Sequence, residues 1–197
     1  MNSRKGRQDA GVPRTLFHEG IAGRQADHQR EEGVSVDLRP LSLADAPAVL
    51  ALMRRAEGGL GRLPDEMDLP WVEEALSGAL AGGLAIGAWD ATHLAGIIKA
   101  SRMPSVQFHH VLWDLTIAVD PERQGSGIGH RLFAELLANA ATLSPRIERV
   151  ELVVREGLAH AIRLYERVGF RQEGRFERRF RLSDGTYEAD LPMALLL

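Results

Sequence analysis

The segment 111–154 constrains the fold more than any other part of the chain. An apolar run at 111–119 passes through Asp120-Pro121-Glu122-Arg123 into Gln124-Gly125-Ser126-Gly127-Ile128-Gly129. It continues with helical periodicity from about 127 to 141 and returns to an apolar run at 150–154. Two short apolar runs on either side of a helical period describe strand, glycine turn, helix and strand, the kernel of a mixed α/β domain.

The flanking sequence extends this order in both directions. Strict alternation at 34–39 suits a half-buried strand that Pro40 ends. Ser42 or Asp45 caps a helical run carrying Val49, Leu50, Leu52 and Met53, and Gly58-Gly59 breaks it. Residues 60–70 read as a loop of the kind that covers substrates, and 71–80 as a second short helix. The apolar runs 84–89 and 94–100 form a hairpin around Asp90-Ala91-Thr92-His93. Farther on, Ala161, Ile162, Leu164, Tyr165 and Val168 fall at helical spacing before Gly169, and two last strands flank the turn Ser183-Asp184-Gly185. Residues 1–33 show no sustained periodicity and are expected to be a disordered extension, leaving 34–197 as a single domain.

Composition excludes several functions. Hydrophobic residues make up 45% and charged residues 26%, with a net charge of −3. This balance is that of a globular domain without a global field for nucleic acid or an anionic membrane. The absence of cysteine removes disulfides, thiolate metal sites and cysteine nucleophiles, and fits a reducing compartment. No apolar run approaches the roughly 20 residues of a membrane helix, and no secretory apolar segment follows the basic N-terminus, so a cytoplasmic location is expected. The histidines lack ligand spacing with acidic company, and no metal is expected.

A glycine turn at a helix start offers free amides and the positive dipole end to anionic oxygens, with no Cβ in the way. Arg123 and Arg131 can add charge nearby. A tight strand-to-helix turn that merely uses glycine is the plainer reading of such a string. A dinucleotide-binding turn fits poorly, because the third glycine of GxGxxG falls at His130 and residues 120–124 separate strand from glycines. A Walker loop is excluded, since no Gly-Lys-Ser or Gly-Lys-Thr follows.

Two stretches together carry a resemblance. The run Leu115-Thr116-Ile117-Ala118-Val119-Asp120-Pro121 followed by Gln124-x-x-Gly127-x-Gly129 resembles the Q/R-x-x-G-x-G/A motif of the GNAT acetyltransferases. Ala161-Ile162-Arg163-Leu164-Tyr165-Glu166-Arg167-Val168-Gly169-Phe170 resembles the same family's A-I-x-L-Y-E-x-x-G-F segment, at the expected distance. The resemblance implies an α/β (α+β) GNAT fold, a mixed central sheet of about seven strands flanked by about four helices. Within that sheet the central strand and the parallel strand beside it splay at a bulge.

It further implies an acyltransferase that moves an acetyl group from acetyl-CoA to a primary amine. The cofactor is expected on Ile117, Ala118 and Val119 and on Gln124, Gly125, Ser126, Gly127, Ile128, Gly129 and His130, with Tyr165 beside it. Backbone groups freed by the bulge would bind the pantetheine amides and the thioester oxygen as it gains charge. Tyr165 would donate a proton to the departing thiolate. The family commonly has Asn three residues before Ala161, where this chain has Leu158, so pantetheine contacts are expected to be weaker or differently arranged.

An alkyl ammonium of pKa about 10.4 must lose a proton before it attacks, so a carboxylate, histidine or water relay is needed beside the thioester. Asp114 is the leading candidate, although strand alternation can equally turn it to solvent or to an arginine. His109 and His110 are chemically suitable, and at most one of two neighbours on a strand faces the site. Trp113 reads as core. Arg175, Arg178, Arg179 and Arg181 can hold a substrate carboxylate or, more simply, pair with Glu173, Glu177 and Glu188 on a solvated strand. The expected acceptor is a small amine such as an amino acid. A peptide or protein acceptor and a non-catalytic acyl-CoA sensor are the alternatives, as monomer or homodimer.

Overall fold

Proline, glycine and short polar side chains set most of the element boundaries. The computed structural model describes residues 35–56 and 61–197, which fall in one compact unit, Glu32–Leu197. In chain order it has β1 (Asp37–Pro40), α1 (Ala46–Arg55), α2 (Leu69–Leu80), β2 (Leu84–Asp90), β3 (His93–Arg102), β4 (Val111–Val119) and α3 (Ile128–Ala140). There follow β5 (Arg149–Arg155), α4 (Ala159–Val168), β6 (Arg171–Gln172), β7 (Phe176–Arg181) and β8 (Tyr187–Leu196). The extension expected at 1–33 lies outside the described residues, as do Val34, Gly58 and Gly59.

The first strand is shorter than alternation predicts and includes Pro40, which pairs with Ile86. At the sheet edge a missing N–H breaks no ladder bond. Helix α1 ends at Arg55, before the glycines expected to stop it. Helix α2 starts two residues earlier than 71, because the Asp68 side chain accepts from the Trp71 amide at 3.0 Å and Pro70 suits a first turn. The β2–β3 turn closes over Ala91 and Thr92, with Asp90 facing His93 and Ala91 at φ 50°.

The described strands form one sheet of eight in the order β1-β2-β3-β4-β5-β8-β6, with β7 on β8. The eighth is the two-residue β6, too short for a periodic signal. Every pairing is antiparallel except β4 with β5. Alternation sends side chains to two cores. Leu112, Val150 and Leu152 pack with Leu132, Phe133 and Leu136 of α3 and Tyr165 of α4. Ile97 and Ala118 face Val49, Leu52, Val72 and Leu76 of α1 and α2. The sheet is thus a middle layer whose β4–β5 junction meets α3 and α4 on one side. No helix among the described residues is long and apolar enough to cross a membrane.

Phe133 is fully buried and meets both Tyr165 and Phe170 edge-on at 5.7 Å. Phe133→Ala is expected to cost about 3–5 kcal/mol in denaturant unfolding, the usual range for a buried ring. A loss below about 1 kcal/mol would mean that the α3–α4 layer does not depend on this ring.

Candidate functional site

Strands β4 and β5 share only two register pairs, Val111 with Arg149 and Leu112 with Val150. Beyond them β4 continues to Val119, paired with β3 alone, and β5 to Arg155, paired with β8 alone. The other edge of β4 is irregular as well. Between Ser101↔Trp113 and Lys99↔Thr116, β3 advances two residues and β4 three, so β4 carries one extra residue. Asp114 sits in this bulge at φ 49°, in the left-handed region. The splay and bulge implied by the resemblance are both present.

The gap opens into a cavity of about 1040 Å³, lined along one wall by β4 from Trp113 to Val119. Of the expected binding residues, Ile117, Ala118, Val119, Gln124, Gly125, Gly127, Ile128, Gly129, His130 and Tyr165 line it, and so does Asp114. Ser126 does not; its hydroxyl donates to the Arg123 carbonyl at 2.5 Å. The glycines divide the work. Gly125 (φ 78°) and Gly127 (φ 83°) take left-handed turns, and a Cβ on either would meet nothing within 4 Å, so the chain leaves that space open. A Cβ on Gly129 would stand 3.2 Å from Leu164, which makes this glycine the close-approach point of α3 and α4.

The loop is held from below by Asp120. Its carboxylate accepts from the Glu122 amide at 3.1 Å, from Arg55 at 2.9 Å, and lies 3.2 Å from His93 Nε2. Burial pushes this carboxyl up, but the hydrogen bonds from Glu122, His93 and Arg55 outweigh it and hold it below the usual carboxylate range. The two arginines expected to add charge at the turn are otherwise engaged. Arg123 pairs with Asp90 at 2.5 Å, and Arg131 donates to the Val36 carbonyl at 2.8 Å.

Tyr165 owes its position to the way α4 ends. Gly169 takes φ 112°, the Phe170 amide donates to the Tyr165 carbonyl at 3.0 Å, and the Gly169 amide donates to Glu166 at the same distance. This is the paired bonding of a Schellman end, and Tyr165 and Phe170 pack against each other at 6.2 Å as such ends favour. The G-F of the motif is therefore a stop signal that fixes the tyrosine. Burial pushes its phenol up to about 12. Leu158, at the start of α4, makes no side-chain cap and lines the cavity as an apolar wall.

One expectation changes at the mouth, that for Trp113. Trp113 is not core: it is 42% exposed and lines the cavity. Neither His109 nor His110 reaches the cavity. Both precede β4, and His109 Nε2 lies 3.3 Å from the Pro104 carbonyl. Asp114 reaches it, but Lys99 Nζ donates to its Oδ2 at 2.5 Å.

Sequence reasoning missed Lys99, and missed Glu151, Val153 and Phe176, which line the same mouth. The alternation of 149–155 held a signal for Glu151 and Val153, since their neighbours Val150, Leu152 and Val154 are the buried set. Arg149 donates to Glu151 at 2.5 Å and pairs with Glu173. Among the described residues no cluster of histidine, aspartate or glutamate is arranged to hold a metal ion.

Comparison with known proteins gives this geometry a family. The model of the acetyltransferase (GNAT) family matches residues 50–170. N-alpha-acetyltransferase RimI of Mycobacterium tuberculosis is 39% identical over 107 residues, 54% of this chain and 58% of RimI, so the match spans little more than half of that relative. The acetyltransferase of GNAT family from Streptococcus pneumoniae superposes with a TM-score of 0.74 at 22% identity, over 83% of this chain and all of that one. A phosphinothricin acetyltransferase from Sinorhizobium meliloti, solved in complex with AcCoA, gives 0.72 at 20% identity, over 82% and 88%. The chain belongs to the acetyltransferase (GNAT) family.

Proposed function

We propose that this chain transfers an acetyl group from acetyl-CoA to the α-amine of a peptide or protein. The observation that carries the reading is the edge of β4 that β5 leaves unpaired, which runs along a cavity lined by the glycine turn and by Tyr165. A strand that loses its neighbour inside a fold exposes backbone donors and acceptors that need partners. An extended chain of amides such as pantetheine matches that requirement, and acetyl-CoA brings the acyl group already activated as a thioester.

Each residue then has a task. The free amides at the start of α3, with Gly125 and Gly127 leaving space, receive the pyrophosphate. Backbone groups of Ile117, Ala118 and Val119 hold the pantetheine arm and orient the thioester. Tyr165, with its phenol near 12, stays neutral at any working pH and faces a thiol whose ordinary pKa is about 8.5. Full proton transfer is uphill by about 5 kcal/mol on these values, so the phenol first stabilises the sulfur as a hydrogen-bond donor and releases its proton late. The ammonium of the acceptor loses its proton at the mouth, where Glu151 or a water chain can receive it.

The peptide reading rests on two supports. RimI is an N-alpha-acetyltransferase, and the arginines that could clamp a free carboxylate are largely consumed. Arg175 pairs with Glu156 and Glu177, and Arg178 lies over the Tyr187 ring at 4.5 Å. The small amine or free amino acid expected from the sequence is the second reading. Arg179 favours it, since this side chain lines the cavity, although Asp190 stands 3.4 Å away.

Thiol release from acetyl-CoA, measured across free amino acids and short peptides with product masses checked, separates the two readings. Acetylation of peptides with little activity on free amino acids is expected, and the reverse order would transfer the assignment to a small-molecule acceptor. Tyr165→Phe is expected to keep acetyl-CoA affinity and to lower kcat by about 10² or more. Because the folded-state phenol is raised to about 12, its loss on deprotonation belongs near that pH. A fall in kcat below pH 10 that disappears in Tyr165→Phe would contradict the buried, neutral phenol. Gly127→Asp places a charge in space the chain leaves open, and aspartate tolerates the left-handed turn better than most residues. The variant should fold yet bind acetyl-CoA weaker by on the order of 10²-fold in calorimetry; undiminished binding would put the phosphates elsewhere.

A further inference from the structure

Lys99 is the only lysine among the described residues; the other basic side chains of this class there are arginines. It is 4% exposed, on the central strand β3. Its ammonium donates to one residue twice, to the Asp114 backbone carbonyl at 3.1 Å and to Asp114 Oδ2 at 2.5 Å. The carboxylate is 56% exposed and needs no burial partner of its own, so the buried member of the pair is the lysine. A compact ammonium with three rotatable donors can clip a carbonyl and a carboxylate of the same residue, which a planar guanidinium fits less well.

What the clip holds is the left-handed residue of the bulge. Asp114 has φ 49°, a conformation its Cβ disfavours. It is also the place where β4 gains its extra residue against β3, and pairing of β4 with β5 stops two residues before it, at Leu112↔Val150. We infer that Lys99 is a positioning residue: its ammonium locks the turn at Asp114, and that turn keeps β4 swung away from β5 so that the gap stands open before any ligand arrives. Asp114 acts here through the backbone it bends, and its carboxylate is the handle. The inference rests on the reading that the gap receives the pantetheine arm.

The test is a set of substitutions read by acetyl-CoA affinity in calorimetry as well as by turnover. Lys99→Met keeps the unbranched stem, removes the ammonium that makes the clip and leaves Asp114 in water. Affinity is expected to fall about tenfold and kcat about 10²-fold, the scale of a displacement near 1 Å at a reacting centre. Asp114→Asn retains an oxygen for Lys99 and a side chain that tolerates the left-handed region, so both quantities should fall by less than about tenfold. Adding Asp114→Gly to Lys99→Met should recover at least about tenfold of the lost affinity, because glycine takes the turn without a clip.

Unchanged affinity and turnover in Lys99→Met would overturn the inference. So would a collapse of kcat in Asp114→Asn at intact affinity, which would make that carboxylate the proton acceptor. If Lys99→Met does not fold, Asp114→Asn against Asp114→Leu carries the same comparison, and equal affinities would overturn the inference. Should no amine be acetylated by the parent protein, the transferase reading fails while the affinity series still decides on the clip.

Discussion

Of all the strand pairings described, only β4 with β5 is parallel, and it persists for two residue pairs before the strands part. Backbone amides and carbonyls inside a fold are almost always satisfied, so a strand that loses one neighbour for most of its length sets a demand the rest of the structure must answer. The answer has three pieces. A bulge on the β3 side bends β4, a crossover through α3 carries the chain over the gap, and α4 closes the far wall with Tyr165. The cavity is the consequence of one interrupted ladder, and the glycines and the tyrosine take their meaning from where that ladder stops.

Charge is placed so as to hold this frame. Asp120 ties the end of β4, the loop after it and Arg55 of α1 into one network. Arg123 is drawn to Asp90 and Arg131 to the Val36 carbonyl. The glycine turn therefore presents chiefly backbone amides and the α3 dipole, in a geometry that does not depend on mobile side chains. On the hairpin side, pairs such as Arg149–Glu173 and Arg175–Glu156 rest on partly exposed groups and contribute little to stability individually. Their effect is on shape and on which side chains stay available to an acceptor.

Much of this was legible in the chain itself. The run 111–119 and the helix ending at Gly169 are where periodicity and the glycine stop put them, and the first motif holds Ile117, Ala118, Val119, Gln124, Gly127 and Gly129 of the cavity wall. What was not legible depends on tertiary register. Trp113 reads as core because it belongs to an apolar strand, yet it lines the cavity and is exposed. Lys99 sits in an apolar run and gives no sign of its partner, since the contact spans two strands. His109 and His110 look strand-borne in sequence but precede the strand. Pro40 ends the first strand by propensity, and the sheet edge lets it stay.

The edge of β4 that β5 leaves unpaired and the glycine turn together are proposed to receive acetyl-CoA. The most direct measurement is a titration of the isotopically labelled protein with acetyl-CoA, following backbone amides by nuclear magnetic resonance. The amides of Ile117, Ala118 and Val119 and of Gly125, Gly127 and Gly129 should shift together along one binding curve and become protected from exchange. Saturable binding that leaves these six amides unmoved while others shift would contradict it.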